Sequence, residues 1–240
     1  MDQNGYYQPT IDSANKEFAK VYMREDEDFL VLDVAPEYFP GVDLCAAMFV
    51  SRTIVLDCTR QYVRQSFQNR AKVRTPDGWQ WLSIPLVAHQ HGRSIEEVVI
   101  DEGKDWRKVH LQSLRYNYRS TPFYDFIEPR IEDVLSGKDG SLSALMVDST
   151  LLTIELLGLA AEVKVRKQGM PVDFERDPER ISIERLTRPG GSDIAVGIPG
   201  ITYRQNFEGF VRGLSGLDLI FNYGPESLSI ISEYAEMKRL

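Results

Sequence analysis

Two polar stretches of the chain carry the side chains best suited to chemistry. In the first, period-two alternation places five polar residues on one side of a strand: Arg64, Ser66, Gln68, Arg70 and Lys72. Guanidinium and ammonium groups in such a row can hold phosphate groups as the wall of a polar pocket. The same row is also typical of a solvated sheet face, and the residues alone leave both interpretations open.

The second stretch has helical spacing. Asp105 has the type and position of an N-cap. Four side chains then share one helix face: Trp106, His110, Ser113 and Asn117. Because histidine titrates near neutral pH, His110 can exchange protons with a substrate. The alternative is a histidine at the edge of the core whose ring is held by a backbone carbonyl.

A β-hairpin is predicted to position the first stretch. Residues 66–74 and 79–85 are its strands, and residues 75–78 join them. The joining sequence, Thr75-Pro-Asp-Gly78, has Pro at the second position and Gly at the fourth, as type I turns do.

Upstream, the pattern predicts a βαβ unit. Residues 29–34 and 51–58 are apolar runs of strand length, and residues 41–50 between them have helical spacing. Such a unit favours parallel pairing, with a ligand near the end of the first strand, close to Pro36 and Tyr38. The chain has no glycine-rich phosphate loop, which weakens kinase, ATPase and nicotinamide-enzyme interpretations.

The remaining elements are mainly helical. A short strand is expected at residues 95–100 and another at 162–167. Helices are expected at residues 105–119, at 121–135 with Thr121 as N-cap, at 141–157 ended by Gly158, from 214 to 221, and at 226–240. Ser215 and Asp218 have the spacing of a capping box, so Asp218 is expected to serve that helix start.

These elements predict an α+β fold, with a βαβ unit and a hairpin in a mixed sheet followed by a mainly helical half. Residues 1–28 are polar and peripheral, and residues 29–240 form a single domain. Within it we expect the mixed sheet at 29–100, the helical part at 105–167, a variable segment without a stable element at 168–199, and a further motif region at 200–240.

Composition narrows the function classes. The net charge of -8 over 240 residues supplies no basic excess to neutralise nucleic acid, so no nucleic-acid partner is expected. No apolar run approaches the roughly 18 residues that a membrane helix requires. The first residues lack the basic and apolar regions of a signal peptide, which predicts a cytoplasmic protein. The sequence leaves the oligomeric state open.

Cysteines and histidines give little support for a metal or redox site. Cys45 and Cys58 are an isolated pair and are expected to be free, buried thiols. His89 and His91 are spaced as metal ligands can be, but the chain has three histidines and this stretch reads as a solvated loop. A metal-dependent hydrolase is therefore disfavoured and no metal ligand is assigned.

Five ordered pieces, between about residues 31 and 225, carry a resemblance to a known family. They are Pro36-x-Tyr38-x-Pro40; Ser66-x-x-Asn69-Arg70 followed by Leu82-Ser-Ile-Pro85; Trp106-x-x-x-His110 with Tyr118-x-x-x-Pro122-Phe123; Tyr203-x-Gln205; and Leu214-Ser215-x-x-Asp218-Leu219-x-Phe221-Asn222-x-Gly224-Pro225. Together they resemble the WbqC-like family, bacterial proteins associated with O-antigen and other surface-polysaccharide gene clusters.

The resemblance implies a transferase that adds a glycyl or related acyl group to the amine of a nucleotide-linked amino sugar. Such a reaction needs a base, donors for the developing oxyanion, and cations for the diphosphate. On this basis His110 is the expected base, and Asn69 and Gln205 are the expected donors to the carbonyl oxygen.

The resemblance also suggests how the substrate is held. The substrate-binding residues are Arg64 and Arg70 for phosphates, Tyr38 and Trp106 for stacking, and Ser66 and Tyr203. No resident cofactor is implied, and the acyl donor, such as an acyl-CoA or activated glycine, stays open.

Two positions depart from the family pattern. The family usually has Gln-Pro where this chain has Ala35-Pro36, and commonly Lys where this chain has Arg64. The missing Gln favours the alternative function, a non-catalytic binding module for a polysaccharide precursor or an assembly partner. If only one strand face lines a pocket, Asn69 is structural and Arg70 is the residue to test first.

Overall fold

A computed structural model of the chain describes residues 6–7, 31–137, 140–169, 180–182 and 201–236. The strands are β1 (Tyr6–Tyr7), β2 (Val31–Val34), β3 (Thr53–Asp57), β4 (Arg70–Thr75), β5 (Gly78–Ser83), β6 (Glu162–Arg166) and β7 (Arg180–Ser182). The α-helices are α1 (Val42–Phe49), α2 (Trp106–Tyr118), α3 (Tyr124–Leu135), α4 (Leu142–Leu157), α5 (Gly216–Tyr223) and α6 (Ser227–Glu236). Short 3₁₀ helices lie at Ile95–Glu97 and Gly224–Glu226.

A mixed sheet of five strands, in the order β1-β6-β3-β2-β7, is the centre of the fold. β2 pairs in parallel with β3 and β7, β3 pairs in parallel with β6, and β1 is antiparallel to β6. The predicted βαβ unit is confirmed, because α1 connects the parallel strands β2 and β3. Residues of β2 and β3 such as Leu32, Ile54 and Leu56 are fully buried, which explains why these strands read as continuous apolar runs.

The hairpin of β4 and β5 forms a separate two-stranded sheet, paired from Arg70–Ser83 to Thr75–Gly78. Its inner face buries Ala71, Val73 and Leu82.

The first strand of this hairpin begins later than predicted, at Arg70 and not at Ser66. Residues 64–69 instead form turns, closed by local bonds. Ser66 Oγ donates to the Val63 carbonyl (2.6 Å), and Gln68 Oε1 accepts from the Val63 N–H (2.8 Å). The predicted polar face running from Arg64 to Lys72 is therefore wrong, because strand alternation does not extend upstream of Arg70.

The helical half follows the predicted order, with one correction at the start of a helix. α4 starts at the Ser141 cap, whose Oγ accepts from the Ala144 N–H, and ends at Gly158 in the left-handed conformation (φ 68°), as predicted. α3 starts at Tyr124, because Thr121 Oγ1 donates back to the Tyr118 carbonyl (2.6 Å) and does not cap the helix. The short strand predicted at residues 95–100 is wrong. Residues 95–97 are a 3₁₀ helix with a capping box at its start.

The next helix, α5, corrects the role predicted for Asp218. The N-cap is Ser215, whose side chain accepts from the Leu217 N–H. Asp218 does not complete a capping box. Its two carboxylate oxygens accept from the hydroxyls of Tyr118 and Tyr203, at a distance of 2.8 Å in both bonds.

Parts of two predicted segments lie outside the described residues. In the peripheral segment 1–28, the structure describes Tyr6–Tyr7 as β1. In the variable segment 168–199, it describes residues 168–169 and 180–182. Residues 180–182 form β7, so the expectation of no regular element fails there. The α+β class is confirmed, and none of the helices described here is both long and apolar enough to cross a bilayer.

Candidate functional site

A cleft of about 610 Å³ opens beside the hairpin. The cleft is surrounded by residues 62–70, the end of β5 and the loop at residues 86–91. Its described lining residues are Tyr62, Arg64, Gln65, Asn69, Arg70, Ser83, Leu86, Val87, Ala88, His89, Gln90 and His91. The loop is held against the fold by the bond from the Val87 N–H to the Val99 carbonyl (3.1 Å).

The cleft is suited to an anion. Arg64 and Arg70 supply two guanidinium groups, and His89 and His91 are two further nitrogen-bearing side chains. None of the lining residues that the structure describes is an aspartate or a glutamate, although the whole chain carries a net charge of -8. Positive side chains gathered in a concave space raise the local concentration of anionic ligands.

Two neighbouring lining residues have buried polar atoms without a partner in the described structure, Asn69 Oδ1 and Arg70 Nε. The Asn69 amide N–H already donates to the Ile84 carbonyl (3.3 Å), which leaves its oxygen free as an acceptor. Burial lowers the pKa of Arg70, whose guanidinium donates to the Gln65 carbonyl and stacks 4.1 Å from the Trp81 ring. Unsatisfied buried groups are unfavourable, so a ligand gains affinity if the two side chains turn and pair these shielded atoms with it.

The turn geometry brings Asn69 and Arg70 to the same space. Alternation predicted opposite faces for them, but β4 begins only at Arg70 and Asn69 belongs to the preceding turn. Both line the cleft together with Arg64.

His110 lies behind the cleft wall. Its Nε2 is 3.2 Å from the carbonyl of Ser83, a residue that lines the cleft. Because a carbonyl only accepts, Nε2 carries the proton and Nδ1 accepts from the Tyr38 hydroxyl at 2.9 Å. Burial lowers the pKa of His110 to about 4, so the ring is neutral. The sequence left open the alternative that His110 is a core histidine held by a backbone carbonyl, and the bond to the Ser83 carbonyl agrees with that alternative.

Tyr38 and Trp106 pack around this histidine in the core. Tyr38 is fully buried, and its N–H donates to the Phe67 carbonyl (3.0 Å), tying its loop to the turns of the cleft. The Trp106 ring meets the His110 ring edge-on, with centroids 5.1 Å apart. Neither Tyr38 nor Trp106 is among the described lining residues.

The other predicted residues serve the protein's own bonds. Ser66 is buried in the turn that its hydroxyl closes. Tyr203 donates to Asp218, and both ends of the Gln205 amide bond the backbone of Val211 (2.7 and 3.0 Å). Of the nine predicted site residues, the structure brings three together in the cleft: Arg64, Asn69 and Arg70.

Nine of the twelve described lining residues were not among the predicted site residues, and three of these nine carry titratable side chains: Tyr62, His89 and His91. Tyr62 precedes the turns, and His89 and His91 belong to the loop predicted to be solvated. Both histidines are exposed, as expected. The sequence feature that could have indicated them as site residues is their spacing of two residues within one short stretch. No cluster of three or more potential metal ligands occurs among the described residues.

Comparisons with known proteins agree with the family resemblance. A model of the WbqC-like protein family matches residues 35–187, which include the whole cleft. The uncharacterized protein Rv1507c of Mycobacterium tuberculosis is 26% identical over 206 residues, covering 75% of this chain and 87% of that protein. No solved structure matches the chain.

Proposed function

The chain belongs to the WbqC-like protein family, and from that premise we propose that it binds a nucleotide-linked amino sugar in the cleft and acylates the sugar's amine with a glycyl or related acyl group. The observation that carries this proposal is the pair of guanidinium groups, Arg64 and Arg70, in a cleft whose described lining has no carboxylate. Arginine binds the oxygens of a diphosphate in a planar, two-pronged geometry. A volume of about 610 Å³ is also within the usual range for small-molecule sites.

The unpaired groups fit the reacting end of such a substrate. The Asn69 side-chain amide oxygen is buried and unpaired, and once the side chain turns towards the cleft this oxygen can accept an N–H of the sugar amine and so orient the nitrogen lone pair. Attack of that nitrogen on the donor's carbonyl carbon forms the new amide bond, and the donor's leaving group departs with its electron pair. The amine must lose one proton to a base.

Because they line the cleft, His89 and His91 are better placed than His110 to act as that base. His89 and His91 line the cleft, whereas both ring nitrogens of His110 are bonded inside the protein. His110 instead fixes the Ser83 backbone, a part of the cleft wall.

A second candidate function is binding without turnover. It is favoured because the three side chains expected to be catalytic are bonded within the protein: an Asn69 N–H to Ile84, His110 to Tyr38 and Ser83, and Gln205 to Val211. On this alternative the cleft carries a precursor and performs no chemistry.

Calorimetric titration with UDP-glucosamine tests the binding step. Arg70→Ala and Arg64→Ala should each weaken binding by about tenfold or more, since each removes charge-assisted phosphate contacts. Arg119→Ala, an exposed arginine outside the described cleft lining, is the matched control and should bind normally. Equal affinities for all four proteins would contradict the assignment of the cleft.

Mass spectrometry after incubation with acyl-CoA or glycyl donors tests the chemical step. Acylated product that disappears in a His89→Ala/His91→Ala double variant, but persists in His110→Gln, supports the transferase and the cleft base. Binding without product from any of these donors contradicts acylation by these donor classes and supports the binding module.

A further inference from the structure

The outward face of the hairpin carries an aromatic row. Trp79 is 47% exposed and meets Trp81 edge-on, with ring centroids 5.5 Å apart. Trp81 meets Phe67 in the same manner at 5.4 Å. The opposite face of the hairpin buries Ala71, Val73 and Leu82, and Trp79 is exposed on its own face, so core packing does not account for Trp79.

Two cations lie over these rings. The Arg70 guanidinium carbon is 4.1 Å from the Trp81 ring centre, and Lys72 Nζ is 4.7 Å from that of Trp79. Lys72 also donates to the Arg212 carbonyl (2.6 Å) and has the carboxylate of Asp43 nearby. The surface formed by Trp79, Trp81, Arg70 and Lys72, here called the stacking face, is therefore aromatic and cationic at once.

The stacking face is continuous with the cleft. Arg70 belongs to both, since its guanidinium stacks on Trp81 while the residue lines the anion-binding space. A ligand with a phosphate at Arg70 can thus place a neighbouring flat group against the rings without leaving the protein surface.

We propose that the stacking face binds the nucleobase of a nucleoside diphosphate whose phosphates occupy the cleft. This inference rests on the proposed function and specifies which part of the substrate lies where. Bases stack on tryptophan rings and on arginine planes, and the cations complement the charge of the attached diphosphate. Because every base has a π-face, stacking discriminates weakly between bases. The face therefore gives affinity for nucleotides as a class.

The test compares UDP, inorganic pyrophosphate and glucosamine 1-phosphate as probes, with affinity measured by calorimetry. Trp79→Ala should weaken UDP binding by about tenfold, the usual effect of losing one stacking partner, and leave pyrophosphate binding within about twofold. Trp81→Phe retains an aromatic ring and should weaken UDP binding less. Tyr116→Ala, an exposed aromatic residue on α2 (77% exposed), is the matched control and should bind all three probes normally.

Several outcomes separate this inference from the proposed function. A wild-type protein that binds UDP with no affinity for pyrophosphate would contradict the phosphate cleft, while the Trp79 effect on UDP would still support the stacking face. An equal loss of UDP and pyrophosphate binding in Trp79→Ala would overturn the stacking face, as would a loss confined to glucosamine 1-phosphate. UDP, dTDP and GDP should bind within severalfold of one another, and a preference above about a hundredfold for one of them would contradict recognition by stacking.

Discussion

The Tyr38 hydroxyl donates to Nδ1 of His110 over 2.9 Å, while the other nitrogen of that ring bonds the Ser83 carbonyl at 3.2 Å. These two hydrogen bonds connect the loop after β2 with the end of β5, which lines the cleft. A single buried imidazole, 3% exposed, thereby fixes the positions of two separate segments relative to each other. The contact requires a neutral ring with its proton on Nε2.

Stability should fall in acid because of His110. Its pKa is about 4 in the folded protein against an ordinary value of 6.5, so the unfolded chain binds more protons between these values. The stabilising contribution is complete above pH 6.5 and is lost as the pH falls towards about 4, by about 3 kcal/mol in total.

His110→Gln separates this effect from general acid unfolding. A glutamine amide can donate to Ser83 and accept from Tyr38, yet it does not titrate. Urea unfolding at about pH 7 and about pH 4.5 should show a smaller pH dependence in the variant. An unchanged pH dependence would exclude His110 as its source.

Glu37 should have the opposite pH dependence. Its Oε2 accepts from the Gly41 N–H (3.1 Å), Oε1 has no partner in the described structure, and burial raises the pKa to about 8. The folded state therefore retains a proton that the unfolded chain releases, and stability is lost as the pH rises from about 4.5 to about 8. Glu37→Gln should remove this loss, on the order of 4 kcal/mol at about pH 8.

The same unfolding measurement checks the Glu37 prediction. Glu132→Gln, at an exposed position on α3, is the control and should follow the wild-type curve. If Glu37→Gln lowers stability equally at about pH 5 and about pH 8, the carboxyl group does not carry its proton in the folded state.

Removal of either tyrosine hydroxyl at Asp218 should destabilise the fold by unequal amounts. Tyr203→Phe removes one bond to a carboxylate (2.8 Å), a loss of about 2 kcal/mol. Tyr118→Phe removes a matching bond and also leaves the Arg74 N–H, now 2.7 Å from the hydroxyl, without an acceptor. Its expected loss is therefore about 4 kcal/mol. Chemical denaturation of the two variants checks the order, and equal losses would contradict it.

A side chain at Gly216 should lower the free energy of unfolding, and a smaller residue at position 45 should reduce this loss. A Cβ at Gly216 would lie 2.7 Å from the Cys45 sulfur, at the start of α5. Gly216→Ala should cost about 1–3 kcal/mol through overpacking. In a Cys45→Ala background the cost should be at least about 1 kcal/mol smaller, and a double-mutant cycle measures the difference. Strict additivity would show that the clash is relieved elsewhere.

Local sequence signals predicted elements whose bonds are local. The helix α4 has its Ser141 cap and Gly158 terminator because both interactions involve residues a few positions apart. Asp218 shows the limit of such signals. Its spacing from Ser215 fits a capping box, but its carboxylate binds the hydroxyl of Tyr118, 100 residues away.

The candidate site was predictable in part. Residue type and order pointed to Arg64, Asn69 and Arg70, which line one cleft. Their common location could not be deduced from alternation, because turns replace the first part of the predicted strand. The contribution of residues 86–91 depends on a tertiary contact, the Val87–Val99 backbone bond, that leaves no pattern in the sequence.

The two outermost strands of the central sheet, β1 and β7, contain two and three residues. They cover the open sides of β6 and β2, whose unpaired N–H and C=O groups would otherwise be templates for another chain. These short strands occupy the positions at which a strand of another chain could otherwise pair. We therefore expect versions of the chain that lack these two strands to be more prone to self-association.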